Sequence, residues 1–504
     1  MPRSRRPGPG MVRLTAMGVV AAGAVAAASC RRERGEAAAQ VTSSAAAHSP
    51  IMSAATGDSE TPGDWPRFGW NASRSSAPTV PMGITAGNIG SLVLQQVKID
   101  GTVDASAIYL RGASVNGAEH DVFFVTTTYG RTLAIDADRG NVLWEYTPAS
   151  YDGLKGSAQI TTATPVADPD GRFIYAATPD GNVQKLGIED GGVVWRTSIT
   201  RLPQREKIAS ALNFDRGHVV AVTGGYIGDA PPYQGHVAIL DATTGALLHV
   251  WNSLCSDRHE LIDPASCRNS DSAIWGRAGA VIDPATGSIL VATGNGHWDG
   301  RTDWGDAVIA LDSDATTVVG NYTPSNTAEL DERDADLGST SPVLLGDGLL
   351  AQGGKDGRIR LLDRSRMSGA SPHMGGERQV VATPSGTELF TAPAVMHRDS
   401  STRVFVADGG GTAAWEVRNR TLVAIWHNSF AGTSPVVVDD LLFVYDPGGS
   451  LRIYQAVTGR LVAALPCGGG HWNSPIVADR RIVLPEGNAN AHAVSGVLDI
   501  WRLR

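Results

Sequence analysis

Cysteine is scarce in this sequence: Cys30, Cys255, Cys267 and Cys467 are the four present in 504 residues. None belongs to a CxxCH segment, so the chain carries no c-type haem of its own. No second Cys/His pair stands at ligand spacing either, which leaves a structural zinc site without support. What remains is "CSDRHELIDPASC", which in an exported protein reads as a loop closed by a Cys255–Cys267 disulfide, with Cys467 unpartnered. Positive charge is also short. A formal net charge of −9 argues against nucleic acid as a main partner, because phosphate binding needs a basic surface. Long helical periodicity is missing outside the N-terminal apolar run "LTAMGVVAAGAVAAAS", which is itself too short to cross a bilayer comfortably.

That run follows the basic stretch "MPRSRRPGPGMVR", and together they predict an export signal over residues 1–30. "AAAS" before Cys30 is a weak lipobox, so lipid attachment at Cys30 and ordinary secretory cleavage both stay open. Either outcome implies an exported protein, periplasmic or anchored to the membrane as a lipoprotein. Residues 31–63 are rich in Ala, Ser and Thr and read as a flexible tether. The 59 glycines and 27 prolines of the chain mark many turns.

Residues 64–504 form one domain, in which one unit recurs from Asp104 onward. It opens on a small polar residue, then Pro or Ala, then an apolar strand; a second strand, a Gly-rich turn and a third strand often ending in Asp follow. Copies begin near Asp104, Thr161, Ile208, Ser272, Ser339, Phe390, Gly432 and His471, which makes eight. Alternating apolar residues between Gly/Asp/Asn turns indicate antiparallel strands. Such a unit cannot bury both sheet faces alone, so the sheets must stack radially. The fold class is therefore all-β, an eight-bladed β-propeller of antiparallel four-stranded blades. "GSLVLQQVKI" from Gly90 has no partner in the first copy and is expected to pair into the blade that contains Trp501, closing the ring.

In a four-stranded meander, the start of the inner strand and the turn between strands two and three lie at one end. Here those positions carry Asp104, Arg277, Asn295, Asp336, Lys355, His471 and Asn473, together with Glu206, Lys207, His297 and Glu486. A polar residue in a turn is ordinary; its recurrence around one mouth of the shaft is what suggests a site. Lys355 stands out, because the turn "QGGKDG" carries a lysine where the related turns "TTYG", "TPDG" and "DPGG" have no cation.

The tails "AIDADRGNVLW" and "ILDATTGALLHVW", and the opening "DWPRFGWNASRSS", resemble the repeat of pyrroloquinoline quinone (PQQ) binding propellers. "AVIDPATGSILVATGNG", "DLGSTSPVLL" and "LAQGGKDGRIRLLDR" resemble segments of quinoprotein alcohol dehydrogenases, and "DADLGSTSP…GGKDG" is particularly similar to the poly(vinyl alcohol) dehydrogenase-like branch. The resemblance implies PQQ and calcium as cofactors, Asn295 as a calcium ligand, Asp336 as catalytic base and Lys355 at the quinone oxygens. Trp275 is the candidate stacking residue, two positions displaced, and Arg277, Asp104, His471 and Asn473 are expected to complete the cofactor shell. A carboxylate there would accept the substrate hydroxyl proton, and a cation would stabilise developing negative charge. Two departures stand out: "ITTATPV" lacks the adjacent cysteines of that family, and "TGGYIGDAPPYQG" offers Tyr226 and Asp229 where a calcium-ligating Glu is expected. The leading expectation is an exported dehydrogenase-like propeller that oxidises a small alcohol or hydroxylated polymer and passes electrons to a separate acceptor such as a cytochrome c. The alternative is a non-catalytic scaffold for envelope protein assembly; a lyase or hydrolase using His471, Glu486 and His297 has no motif behind it.

Overall fold

The computed structural model describes residues 63–503, so the export signal, Cys30 and nearly all of the expected tether lie outside the described residues. Eight four-stranded antiparallel sheets form the ring, as the repeats predict. Leu92–Ile99 pairs with Gly496–Leu503, Leu94 opposite Trp501, so the last blade takes its outer strand from the beginning of the domain. Only Tyr151–Leu154 and Thr327–Glu332 are α-helical among the described residues.

The Asp that ends many third strands is explained by its turn. Asp241 Oδ1 accepts the N–H groups of Thr243 and Thr244 at 3.0 and 2.7 Å, and Asp136 Oδ1 does the same for Asp138 and Arg139 at 3.0 and 2.8 Å. The turn closes on Gly245 at φ 74°, where a Cβ would come within 2.5 Å of Trp195 from the preceding blade. Glycine is needed there for both the conformation and the space. Trp195 lies over this turn and donates from Nε1 to Ala242 O at 3.1 Å. Trp144 on Ile188 O (2.7 Å) and Trp426 on Ala456 O (2.8 Å) repeat the clasp at other blade junctions. Each indole buries its ring on a neighbour while its single donor is satisfied.

The segment from Asp64 to Met82 runs along the inner edges of the ring. Backbone bonds tie it to blade 1 (Trp65 to Tyr109, 2.9 Å), blade 2 (Ala167 N–H to Pro66 O, 2.9 Å) and blade 4 (Ile282 N–H to Ala72 O, 3.0 Å). Blades 6, 7 and 8 are tied through Val395, Val437 and Arg480 in the same way. Inner strands otherwise present unpaired N–H groups to the shaft, and this segment satisfies them. Buried Arg74 fixes it further, donating to Phe68 O at 2.7 Å and Leu212 O at 2.8 Å. A cavity of about 630 Å³ is left between this plug and the turns of blades 4 to 7 that join first and second strands.

The clasp yields a prediction. Trp195→Ala should destabilise the domain by about 3–5 kcal/mol, whereas Trp195→Phe, which keeps most of the packing but loses the Nε1 bond, should cost about 1–2 kcal/mol. Denaturant unfolding of the three proteins measures both; equal losses would mean that the indole ring contributes nothing beyond its hydrogen bond.

Candidate active site

At the mouth of the shaft, blade 5 brings two of its own segments together. Asp336 precedes the inner strand Val343–Gly346, and Lys355 sits in the turn between Leu349–Gln352 and Arg358–Asp363. The Lys355 N–H donates to Asp336 O at 2.9 Å. Its Nζ lies 2.7 Å from Asp336 Oδ2 and 2.9 Å from Asp334 Oδ1. Blade 4 contributes the Asn295 N–H, which donates to Asp336 Oδ1 at 2.6 Å. The glycine of "TGN" is explained by the same contact, since a Cβ on Gly294 would stand 2.9 Å from that oxygen. Trp275, also from blade 4, has its ring centroid 5.4 Å from Lys355 Nζ, within cation–π range.

Burial raises the Asp336 pKa above the ordinary carboxylate range, against the pull of Lys355 and the Asn295 N–H. Lys355 moves up as well: burial opposes this, but Asp336 and Asp334 outweigh it. The pair is therefore a basic carboxylate kept ionised by an adjacent ammonium.

A second cluster joins blade 8 to blade 1. Asp104 Oδ2 meets His471 Nδ1 at 2.8 Å, and Asp104 accepts the N–H groups of Trp472 and Ala489 at 2.7 and 3.0 Å. Despite full burial, His471 and Arg277 hold the Asp104 carboxyl below its usual range. Between the clusters runs a line of half-buried aromatics: Trp275 to Phe390 at 5.8 Å, Phe390 to Trp472 at 5.2 Å, and Trp472 to His471 at 4.6 Å between centroids. Phe390 and Trp472 were not singled out by sequence, although both stand at the start of a repeat where other copies carry small residues.

Several expected mouth residues are committed elsewhere. Asn473 is fully buried; its amide donates to Val103 O at 2.5 Å and accepts the His471 N–H at 2.9 Å, so its polar atoms are spent on the seam between blades. His297 pairs with Asp303 at 2.8 Å, and Asp303 in turn accepts the Cys255 N–H beside the disulfide loop. Cys255 and Cys267 are joined, Cα to Cα 6.1 Å, while Cys467 is a free thiol pushed up to about 12 by burial and by Asp499 and Glu486.

Glu206 turns into blade 3, where its oxygens lie 3.0 and 3.1 Å from Nε2 of fully buried His236. Asn252 donates its amide N–H groups to Arg258 O and Glu260 O, so its Oδ1 must face His236 Nδ1, at 2.6 Å. Both ring nitrogens thus face acceptors, and the ring is an imidazolium. Burial opposes that charge, yet Glu206 and Asn252 raise the His236 pKa.

The donor set for calcium is incomplete: Asn295 serves Asp336 through its main-chain N–H, which leaves its side-chain amide oxygen as a donor, and both Asp336 oxygens are engaged. Tyr226 donates to Pro203 O, and Asp229 accepts from Tyr233. Among the described residues no three or more His, Cys, Asp or Glu side chains gather to hold a metal. A quinone fits better: the half-buried Trp275 ring supplies a flat face, Lys355 an ammonium, and Arg277 a buried Nε–H without a partner.

A family profile described as outer membrane protein assembly factor BamB matches residues 150–328. Polyvinylalcohol dehydrogenase of a Pseudomonas species is 25% identical over 337 residues, covering 61% of this chain and 50% of the relative. Its counterpart from Sphingopyxis strain 113P3 is 25% identical over 211 residues, covering 39% and 31%. The matched segments therefore span half or less of these relatives. In three dimensions the chain is similar to quinohemoprotein alcohol dehydrogenase from Comamonas testosteroni (TM-score 0.64, 16% identity, 88% of this chain and 80% of that one). A europium-containing methanol dehydrogenase gives TM-score 0.66 at 14% identity over 88% and 99%. These likenesses establish the eight-bladed fold, and the repeat resembles that of PQQ-binding propellers.

The imidazolium assignment predicts a pH effect. With its folded pKa raised, His236 contributes fully below its unfolded value of about 6.5, and the contribution is lost as pH rises through the folded value. His236→Gln should cost about 3–5 kcal/mol near neutrality or below, with the gap to wild type narrowing toward alkaline pH. Urea unfolding across pH measures it; a gap independent of pH would show a neutral ring.

Proposed function

We propose that the protein is an exported, quinoprotein-like dehydrogenase that oxidises an alcohol or hydroxylated polymer at this mouth. The observation that carries the reading is the Asp336–Lys355 pair against Trp275. Trp275, Lys355 and Arg277 would hold PQQ, which when bound supplies the acceptor for the hydrogen on the alcohol carbon. The chain's own share is proton chemistry and positioning. Asp336 Oδ2 takes the hydroxyl proton; burial makes it a stronger base than a solvated carboxylate, and Lys355 keeps it ionised until it does so. The Asn295 N–H fixes the other oxygen and so the plane of the carboxylate. Phe390 and Trp472 cover the approach with apolar surface that excludes water.

With no CxxCH segment in the sequence, the electrons leave to a separate acceptor, such as a cytochrome c. The Cys255–Cys267 disulfide accords with an oxidising, extracytoplasmic location; anchoring at Cys30 stays a proposal about residues outside the described ones. The scaffold reading draws on the assembly-factor profile over residues 150–328 and gives the buried pair at the mouth no task.

Dye-linked oxidation after reconstitution with PQQ separates the two. Asp336→Asn should lower turnover by about 100-fold or more while leaving PQQ affinity within a few-fold. Lys355→Ala should move the acidic limb of the kcat/KM profile up by about 1–3 pH units, because a carboxylate that loses its cation titrates higher. A chain that reduces no dye with any alcohol, wild type included, is not a dehydrogenase, and the scaffold reading takes its place.

A further inference from the structure

Two cations stand side by side at the mouth with no carboxylate bonded to either. Arg277 reaches across the shaft from blade 4, donating from Nη2 to Asp104 O at 2.7 Å and Thr162 O at 3.4 Å, both backbone carbonyls. It is 7% exposed, and its Nε has no partner. Lys207 lies in a short ribbon, paired with Gly224, and a Cβ on Gly224 would stand 3.1 Å from Trp275 Cβ. Neighbouring residues of a strand project to opposite faces, so with Glu206 turned into the blade Lys207 projects toward the shaft. Among the described residues the Lys207 side chain makes no hydrogen bond or ion pair. The acids nearby are already spent: Asp104 on His471 and two N–H groups, Asp336 on Lys355 and Asn295. Burial and the Arg277 charge together push the Lys207 amine down to about 8, and the pull of Asp104 does not make up for them.

Two half-buried or buried cations with no bonded carboxylate, sharing Asp104 as a nearby negative charge beside an aromatic wall, are costly to fold unless a further anion joins them. We infer that Lys207 and Arg277 form a receptor for the carboxylates of a planar aromatic ligand, and supply by themselves the positive charge that a divalent metal would otherwise bring to this mouth. The inference rests on the quinone reading above and assigns these two residues to the acid groups of the ligand, leaving its carbonyls to Lys355.

The test is calorimetric titration in EDTA with PQQ and with its trimethyl ester, which keeps the ring and lacks the free acids. Wild type should bind PQQ without metal. Lys207→Met should weaken PQQ binding on the order of 10- to 100-fold, the loss of one charge-assisted bond, and should leave ester binding within a few-fold. Lys207→Arg should restore PQQ affinity, which rules out a folding defect in the methionine variant. Equal binding of PQQ by wild type and Lys207→Met, or an equal loss for PQQ and ester, would overturn the receptor while leaving the quinone reading intact. Binding of neither compound by wild type would overturn both.

Discussion

An indole seated over the neighbouring blade's turn is the contact from which the rest of the ring follows. One sheet of this kind exposes two apolar faces and cannot persist alone. At three of the eight junctions Trp144, Trp195 and Trp426 set the spacing and tilt between neighbouring sheets, because each must reach one backbone carbonyl beyond a turn that has no side chain in the way. Once that angle is set, the lead-in segments converge on one end of the shaft, and residues far apart in sequence meet there. Asp104 and His471 are 367 positions apart and share a hydrogen bond for this reason.

The chemistry of the mouth depends on how its charges are matched. Asp336 is paired with Lys355 and Asp104 is hydrogen-bonded to His471, and each also accepts backbone N–H groups, so neither is bonded to Lys207 or Arg277. The buried Glu206–His236 pair keeps a further acid out of the shaft. An aromatic line from Trp275 to His471 bridges the two acid–base clusters.

Much of the fold was legible because its determinants are local. An Asp that caps its own turn, a glycine that closes it and an alternating strand recur within each copy, and eight copies repeat the message. The unpaired strand at Leu92 was legible by subtraction. The pairing of Asp336 with Lys355 was within reach too, since both lie on one blade at positions that a meander brings together. What could not be read was direction. Glu206 and Lys207 are adjacent, and only the pairing with Gly224–Gly225 decides which faces the shaft. Asn473 looked available because its partners, Val103 and His471, meet it only across the seam between the last blade and the first. The plug was hidden for the same reason: Asp64 to Met82 has no repeat of its own and makes sense only against strands drawn from around the ring.

The closing strand also fixes an order of events. Gln96 and Asp499 bond across 403 positions, so the outer edge of the last blade is synthesised first and waits for everything else. Joining ends so far apart adds little to the entropic cost, which grows only with the logarithm of length, but it makes the seam the latest contact to form. Until then the nascent ring carries two bare sheet edges, each a template for pairing with another chain. This places the hazard in the interval before the last strand is available, and gives a chaperone that shields strand edges a definite interval in which it is needed. After closure both edges vanish together, and the same seam becomes the latch that must open before any blade can leave.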